Sequence, residues 1–573
     1  MHFTLKDSNI KSIDTLVLLI LAIGAGCGLI YEYLLSHYAA RVLGSVEQSI
    51  FTIISIMMFF FGIGAYLARY IKNPFAGFAW VEVALALIGS TSVLLIGGIF
   101  ALVNLFPRMI VETFSLPSDL MPIGGLADTA AQIARFSPYF FAALLGILIG
   151  IEIPLIARVR EYLYQQTLEN NIGSIYGIDY IGAGLGSLLW IFFILSMDVT
   201  LAGALTASAN LLIGFIFFVI FYPQIPSRNF LLFGHILVAV VILQVFSYGK
   251  NWSATMEDML YLDKVVYSDN TRYQHIVITE RYANPTEPSI LTFYINGRTQ
   301  FSTNDEHIYH RMLTYPALAS SARQDKVLII GGGDGLALRD VLKWKPKKVT
   351  LIDLDQQLLD VFRAKNTNVP DRISERLLTL NKKSFLDPSV NIIINDAFIA
   401  LDELIKTRES FDTIIVDLPD PSHPDLNKLY SANFYSKLSL LLAGDGAMVV
   451  QSTSPYHARN TFISIGKTIK FAGFKAVEQY RQNVPSFGEW GFTIATKTKP
   501  ASQRLDDLLR LPITDEWISL ALIKASFIFP NNFYNNYDNI EINRVGSMVA
   551  YQYHQQDWQQ RLGIYNQTTN KKE

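Results

Sequence analysis

The chain has 573 residues, of which 51% are hydrophobic and 17% charged, and its net charge is −2. This length exceeds what one ordinary domain needs, and the balanced charge excludes the basic field of a nucleic-acid-binding protein. The single cysteine, Cys27, excludes an intramolecular disulfide and a cysteine-based metal site.

Apolar residues concentrate in the first 250 residues, where about seven runs are long enough to cross a bilayer as helices. The runs therefore predict an α-helical, multi-span membrane domain over residues 1–250. Glycines recur inside them, as at Gly24, Gly26, Gly28, Gly182, Gly184 and Gly186, and indicate closely packed helices. The runs lie near residues 16–35, 49–70, 79–104, 136–156, 174–196, 200–221 and 230–248.

Three acids, Glu32, Glu152 and Asp179, lie within these runs or at their ends. An ionisable group in a membrane is costly, so each is a candidate for a cation site or route. The alternative is a position at the interface or an ion pair with an arginine such as Arg41 or Arg158.

After the last run, short β-rich segments follow at Lys264–Tyr267, Tyr273–Thr279 and Leu291–Ile295. Asn296-Gly297 is a strong hairpin-turn signal. These features predict a small antiparallel β-sheet within residues 251–305.

Strands and helices then alternate over residues 306–500, which is typical of an α/β, doubly wound, Rossmann-like domain with a mostly parallel sheet. Ligands on such sheets bind at the C-terminal ends of the strands. Residues 501–573 are a C-terminal extension to which we assign no role, with a helix predicted near residues 515–528. The predicted strands are Lys326–Ile330, Lys348–Asp353, Asn391–Asn395, Thr413–Asp417 and Ala447–Gln451.

A glycine-rich turn, Gly331 to Gly335, follows the first of these strands. Such a turn lets the backbone approach a ligand closely, but nucleotide-binding and S-adenosyl-binding folds share it, and a purely structural turn is the alternative. Asp334 within the turn would repel a phosphate and attract an ammonium group.

Four further acids follow strands. Asp353 suits the ribose hydroxyls of a nucleoside, and Asp396 suits an adenine amino group or another donor. Asp417 and Asp420 lie on a proline-stiffened loop, where two close acids can bind a cationic amine and accept a proton from it. For each acid the alternative is a strand-end or surface carboxylate without a ligand.

Together these motifs resemble the hallmark of the spermidine and spermine synthases. The N-terminal half, with Gly28 to Glu32, resembles bacterial proteins that fuse such a domain to several membrane spans. The matching segments are Tyr273-Gln274, Asp305-Glu306, Tyr309-His310, Val327 to Gly335 with Leu338-Arg339, Asp417, Asp420-Pro421, Pro424 and Leu429-Tyr430.

The resemblance implies a fold of the S-adenosylmethionine-methyltransferase type and an aminopropyl transfer from decarboxylated S-adenosylmethionine to putrescine or another polyamine. It implies no tightly bound cofactor and no metal. Asp417 would be the proton acceptor, while His310, Asp334 and Asp420 would hold the polyamine or the aminopropyl end. The residues expected to border the nucleoside are Gln274, Gly331, Gly333, Asp353, Asp396, Ala397 and Pro424.

The chain departs from the family pattern at several positions. Asp353 stands where the family usually has a glutamate, and Ala397 replaces the usual glycine. Leu418-Pro419 replaces small polar residues, and Pro485 to Gly488 stands where many members have an aromatic hydroxyl. These changes concern the acceptor amine more than the nucleoside.

Two other functions remain open from the sequence: a small-molecule methyltransferase on the same fold, and a non-catalytic sensor or transporter that binds a polyamine or nucleoside. We expect a multi-pass protein of the inner cell membrane with its catalytic domain in the cytoplasm, where the cosubstrate is. The positive-inside rule conflicts with this, because it assigns the N-terminus of a seven-span chain to the cytoplasm. A homodimer or a homotetramer is compatible with the resemblance.

Overall fold

The computed structural model describes residues 7–43, 46–113, 126–165, 171–195, 197–261, 263–284 and 286–561. The chain divides into two compact units, Met1–Arg272 and Tyr273–Glu573. The predicted finer division at residues 250, 305 and 500 stays a prediction.

The N-terminal unit is built from long apolar helices, the fifth of which continues as a short π-helical turn, Trp190–Ile194. One strand, β1 (Lys264–Asn270), follows the last helix. The helices are α1 (Asp7–Leu43), α2 (Val46–Leu67), α3 (Pro74–Thr113), α4 (Leu126–Tyr164), α5 (Asn171–Leu189), α6 (Val199–Ile220) and α7 (Arg228–Leu260).

Seven stretches of helix in the described part of the chain are long and apolar enough to cross a membrane. Each of the seven predicted runs overlaps one of them. Several helices extend well beyond the predicted edges; α7, for example, continues to Leu260. The prediction of seven long apolar helices is therefore confirmed. Their insertion in a membrane is supported by their length and composition alone.

Glycines of α1 and α5 face each other closely. A Cβ added at Gly182 would lie 2.0 Å from the carbonyl oxygen of Ala22, and one added at Gly186 would lie 2.5 Å from that of Gly26. The predicted packing role is thus confirmed for Gly26, Gly182 and Gly186. A Cβ added at Gly184 would have no atom within 4 Å, so the contact between α1 and α5 does not explain the glycine at this position.

We expect Gly182→Leu to force α1 and α5 apart and to destabilise the N-terminal unit, at a cost of about 1–3 kcal/mol or more for overpacking. Thermal unfolding and size-exclusion elution of the detergent-purified chain would measure the loss. Gly184→Leu, on the same helix, is the matched control and should behave like the wild type. Equal losses in both variants would contradict the packing role.

The two most deeply buried acids among the described residues of this unit are Glu82 of α3, which is fully buried, and Glu152 of α4, which is 2% exposed; Glu32 of α1 is also buried, at 6% exposure. Asn210 of α6 donates a hydrogen bond to Glu82, but within the described ranges the Oε1 atoms of Glu82 and Glu152 have no hydrogen-bond partner. Arg158 does not pair with Glu152; it donates to the carbonyl oxygens of Ile71 (2.6 Å) and Lys72. The sequence analysis did not single out Glu82, which lies inside an apolar run.

The C-terminal unit begins with short antiparallel strands, β2 (His275–Arg281), β3 (Ile290–Ile295) and β4 (Arg298–Ser302). The backbone at Asn296 and Gly297 has φ of +49° and +75°. Two consecutive positive φ values are what a tight hairpin turn requires, so the predicted turn between β3 and β4 is confirmed.

A seven-stranded sheet forms the centre of this unit. Its strands are β5 (Lys326–Gly331), β6 (Lys348–Asp353), β7 (Val390–Ile394), β8 (Phe411–Asp417), β9 (Leu442–Gln451), β10 (Ala476–Val484) and β11 (Gly488–Thr496). They lie in the order β10-β11-β9-β8-β5-β6-β7. Strands β9, β8, β5, β6 and β7 run parallel to one another, and β11 runs antiparallel to both β9 and β10.

Helices cover this sheet, and the last of them lies in the C-terminal extension. The predicted helix near 515–528 is present but shorter, at Leu520–Ser526. The helices are α8 (Glu306–Ser320), α9 (Leu336–Leu342), α10 (Gln356–Phe362), α11 (Asp371–Leu380), α12 (Ala397–Lys406), α13 (Pro424–Asn427), α14 (Ala432–Leu441), α15 (Arg459–Phe471), α16 (Ala501–Asp506), α17 (Leu520–Ser526) and α18 (Val549–Arg561).

The strand order reverses at β5, which has β6 on one side and β8 on the other. Crevices for ligands form at such a reversal, outside the C-terminal ends of the strands. Gly331 at the end of β5 is in register with Asp417 at the end of β8, so the glycine-rich turn and the acidic loop meet at this point.

Candidate active site

The glycine-rich turn packs directly on the backbone of Asp417. The amide of Gly332 donates to the Asp417 carbonyl oxygen at 3.2 Å. A Cβ added at Gly331, where φ is +81°, would lie 2.0 Å from that oxygen. Glycine is therefore required here to bring the ends of β5 and β8 together.

Gly333 and Asp353 meet on the other side of the turn. A Cβ added at Gly333 would lie 2.8 Å from Asp353 Oδ2. The pKa of Asp353 is raised to about 7, chiefly by burial, and the negative charges of Asp355 and Asp334 contribute to the rise. The amide of Asp355 donates to Asp353 Oδ1 at 2.9 Å, and Gln274 donates to Asp355 Oδ2 at 2.9 Å. This joins two predicted nucleoside residues through Asp355, which the sequence analysis did not single out.

We expect Gly333→Ala to weaken nucleoside binding by about tenfold or more, because the added methyl would displace Asp353 at a cost of about 1–3 kcal/mol. The affinity of the purified protein for methylthioadenosine measures this. Gly444→Ala, in open space on β9, is the control. Unchanged affinity in Gly333→Ala would contradict the placement of the nucleoside beside Asp353.

Asp417 is held by Tyr309 of α8, whose hydroxyl donates to Asp417 Oδ1 at 2.7 Å. The Tyr309 ring is fixed in turn against Phe487 and Phe492, with ring centres 5.7 and 5.6 Å away. The pKa of Asp417 is raised to about 6, chiefly by burial and also by the charge of Asp334, while His310 and the Tyr309 hydroxyl oppose the shift. Asp417 is thus an ionised but unusually basic carboxylate at neutral pH.

A chain of buried charges runs behind Asp334. Arg339 donates to both carboxylate oxygens of Glu306, at 2.7 and 2.9 Å. Glu306 Oε2 accepts a hydrogen bond from His310 Nδ1 at 2.9 Å, and His310 Nε2 lies 4.0 Å from Asp334 Oδ2. The amide of Leu336 donates to Asp334 Oδ1 at 2.9 Å.

These buried charged side chains keep His310 positively charged. Burial alone would lower the pKa of His310, but its hydrogen bond to Glu306 and the charge of Asp334 outweigh burial and raise it to about 9. Burial raises the pKa of Asp334, although the charge of His310 opposes that shift. His310 is therefore an imidazolium that compensates the acids around it, which suits it less well to direct contact with a cationic amine.

Asp420 has its own set of donors. Gln451 Nε2 lies 3.1 Å from Asp420 Oδ1, and the hydroxyl of Thr453 donates to Oδ2 at 3.0 Å. His554 Nε2, from α18, lies 3.3 Å from Oδ2. Burial would raise the pKa of Asp420, but His554, Gln451 and the charge of Arg298 outweigh it and lower the pKa. Asp420 is ionised at neutral pH.

Asp396, Ala397 and Pro424 begin helices rather than line a cluster of acids. Asp396 accepts from the amide of Phe398 at 2.8 Å as the N-cap of α12, which begins at Ala397, and its Oδ2 pairs with Lys428 at 2.7 Å. Pro424 is the first residue of α13 and is buried. Both oxygens of Asp396 thus have donors, so its adenine contact stays a prediction.

The loop that departs from the family pattern is the tip of the β10–β11 hairpin. The amide and hydroxyl of Ser486 donate to the two carboxylate oxygens of Asp305, at 2.6 and 2.9 Å. This bond fixes the tip next to α8 and places Phe487 on Tyr309. A phenyl ring, without a hydroxyl, therefore packs behind the residue that holds Asp417.

The structure brings most of the predicted acids to one edge of the sheet. Asp334 and Asp417 form one group there, and the groups around Asp353 and Asp420 are its neighbours. Gln451, Thr453 and His554, which surround Asp420, were not predicted. Gln451 is the last residue of β9 and Thr453 follows that strand, so both could have been inferred from their position; His554 lies in a polar segment that offers no such signal. Among the described residues, no group of three or more His, Cys, Asp or Glu side chains is arranged to hold a metal ion.

Comparison with known proteins yields a consistent set of relatives. The model of the spermine/spermidine synthase domain matches residues 306–507. The polyamine aminopropyltransferase of Shewanella oneidensis is 50% identical over 552 residues, which is 96% of each chain. Polyamine aminopropyltransferase 1 of Streptomyces coelicolor is 34% identical over 91% of each chain. The similarity to both includes the seven-helix unit.

Among solved structures, a spermidine synthase in complex with the transition-state analogue AdoDATO is 25% identical. The matched region covers 48% of this chain and 88% of that spermidine synthase chain, with a TM-score of 0.42.

Proposed function

Because the chain belongs to the polyamine aminopropyltransferase family and is an aminopropyltransferase, we propose that it moves the aminopropyl group of decarboxylated S-adenosylmethionine to putrescine or a related polyamine. The products are a spermidine-type polyamine and methylthioadenosine. The observation that carries the proposal is the meeting of the Gly331 turn with Asp417, a partly buried carboxylate with a pKa of about 6, beside Asp334 and Asp420.

In the proposed reaction an uncharged amine nitrogen attacks the aminopropyl methylene carbon that is bonded to the sulfonium. A C–N bond forms while the C–S bond breaks, and the bonding electron pair passes to sulfur, which leaves as the neutral thioether of methylthioadenosine. Asp417 accepts the proton that the nitrogen loses. The sulfonium already activates the leaving group, so the chemistry requires no metal.

The amine must be deprotonated and aligned. A free primary amine has a pKa of about 10 in water, like lysine, so a carboxylate with a raised pKa is a better base for it than an ordinary aspartate. In our proposal Asp420 and Asp334 hold the remaining charge of the polyamine and of the aminopropyl end. Holding both partners in line lowers the barrier by removing the entropy of encounter.

On the nucleoside side, we propose that Asp353 binds the ribose hydroxyls beside Gly331 and Gly333, with Gln274 positioned through Asp355. Asp396, Ala397 and Pro424 border the adenine. Asp334 disfavours the carboxylate that ordinary S-adenosylmethionine carries, which separates this reaction from methyl transfer.

A product assay on detergent-purified protein, with decarboxylated S-adenosylmethionine and a panel of diamines and triamines, tests the proposal. Release of methylthioadenosine with an aminopropylated amine supports it, and the panel identifies the acceptor. Methyl transfer from S-adenosylmethionine would instead support a methyltransferase. Amine binding without any turnover would support a sensor or transporter and would overturn the proposal.

We also propose that the seven long helices anchor the enzyme in the inner cell membrane, with the catalytic unit in the cytoplasm. The supports are the length and composition of the helices and the location of the cosubstrate. A green fluorescent protein fused to the C-terminus should fluoresce, and an alkaline phosphatase in the same place should be inactive. An active phosphatase fusion would place the catalytic unit outside, as the positive-inside rule predicts.

A further inference from the structure

The C-terminal helix α18 reaches the acidic loop from outside the family domain. The family model ends at residue 507, whereas α18 spans Val549–Arg561. Its His554 is 1% exposed, and His554 Nε2 lies 3.3 Å from Asp420 Oδ2. A buried histidine of the extension thus contacts an acid that we have proposed to hold the acceptor amine.

Helix α18 is fixed in this position by several hydrogen bonds. Asp557 accepts from the backbone amide of Asn460 at 3.0 Å and from its side chain at 2.8 Å, at the start of α15. The amide of Tyr551 donates to Asn427 Oδ1 at 3.3 Å, at the end of α13. The helix is therefore joined to two other elements, α13 and α15, and His554 is not a surface residue that happens to lie near the acidic loop.

His554 Nε2 has two competing neighbours. The indole N–H of Trp558 points at it from 3.1 Å, and Asp420 Oδ2 lies 3.3 Å away. One ring nitrogen either carries a hydrogen and donates to the carboxylate, or has a lone pair and accepts from the indole; it cannot do both. An ionised Asp420 favours the first arrangement, since a lone pair on Nε2 would face its negative charge.

An ammonium group can bind while this contact is kept. A carboxylate has about four lone-pair sites, so Asp420 can accept from the ammonium while His554 still donates to Oδ2 and holds the carboxylate in place. We propose that His554 is a positioning residue for the acceptor amine, which acts through Asp420, and that the C-terminal extension thereby helps to set amine affinity and selectivity. This inference rests on the proposed role of Asp420.

The test compares His554→Ala with His554→Gln in the full-length protein. Hydrogen bonds to charged groups contribute about 1.5–3 kcal/mol, so we expect His554→Ala to raise the KM for the amine about tenfold to a hundredfold. The kcat and the KM for decarboxylated S-adenosylmethionine should change little. His554→Gln, which keeps a donor, should restore much of the amine affinity. Gln555→Ala, on the same helix, is the matched control; the Gln555 side chain donates to Tyr551.

Direct titration with putrescine and spermidine separates this inference from the proposed function. A wild type that turns over, with an unchanged amine KM in His554→Ala, overturns the inference alone. A wild type that does not turn over, but binds amines with an affinity that falls in His554→Ala and recovers in His554→Gln, overturns the proposed function and supports the inference. Equal losses for amine and nucleoside without rescue by glutamine would mark His554 as structural and overturn the inference.

Discussion

Asp417→Asn is expected to lower kcat by about 10²–10⁴-fold, the usual contribution of a general base, while the affinity for methylthioadenosine stays that of the wild type. The amide keeps an oxygen that can accept the Tyr309 hydroxyl hydrogen bond. The backbone carbonyl of residue 417, which accepts from the Gly332 amide, is unchanged. The variant therefore removes the basic oxygen without disturbing the turn, and single-turnover kinetics with decarboxylated S-adenosylmethionine would measure the loss.

The matched control is Asp412→Asn, the same change at the other end of β8. Asp412 Oδ2 accepts from the amide of Lys326 and its Oδ1 pairs with Arg323 at 3.5 Å, far along the strand from the site. We expect this variant to remain active. A wild-type rate in Asp417→Asn would remove Asp417 from the role of base and would direct attention to Asp334.

The pH dependence gives a second measure of the same role. Asp417 must be ionised to accept a proton, and its pKa is raised to about 6. The kcat/KM of the wild type should therefore rise with pH up to about 6 and then level on this limb. An acid limb near the ordinary value of an aspartate would show that the reacting base is a more exposed carboxylate.

The positions of the acids could be predicted because each follows an apolar strand. Parallel strands align their C-terminal ends at one edge of the sheet, so the strands that end at Gly331, Asp353 and Asp417 had to bring these residues close together. The glycine-rich turn has a similarly local cause, since positive φ at Gly331 requires glycine.

The charges behind the acids could not be predicted in the same way. Glu306, His310 and Arg339 were visible only as motif residues, and their bonding depends on how α8 lies against α9. His554 is 134 residues from Asp420, in a polar segment without clear periodicity. In the helical unit, Glu82 lies in an apolar run that reads as an ordinary span, and only the packing of α3 against α6 brings it to Asn210.

His310→Gln should have the second largest effect, because it removes a buried imidazolium from among the acids of this site. In the folded protein the pKa of His310 is about 9, compared with an ordinary value of 6.5. His310 therefore holds its proton more tightly when folded, and the stabilisation is complete below pH 6.5 and lost as pH rises through 9. The difference in pKa corresponds to about 3 kcal/mol.

The predicted signature is the difference between wild type and variant across pH. Below pH 6.5 the wild type should be more stable than His310→Gln by that amount, and the gap should close between pH 6.5 and 9 in thermal unfolding of the full chain. His307→Gln is the matched control on α8: burial lowers the pKa of His307, so its contribution to pH dependence lies below pH 6.5.

The same variant should also change catalysis in a predictable direction. The positive charge of His310 lowers the pKa of Asp417 and of Asp334, so its removal should move the acid limb of kcat/KM to higher pH. A polyamine would then bind two acids that are ionised less often near neutral pH, and its KM should rise. If His310 instead contacted the amine as a neutral imidazole, the acid limb would stay in place while amine affinity fell at every pH, and the buried charge chain would have no part in setting the base.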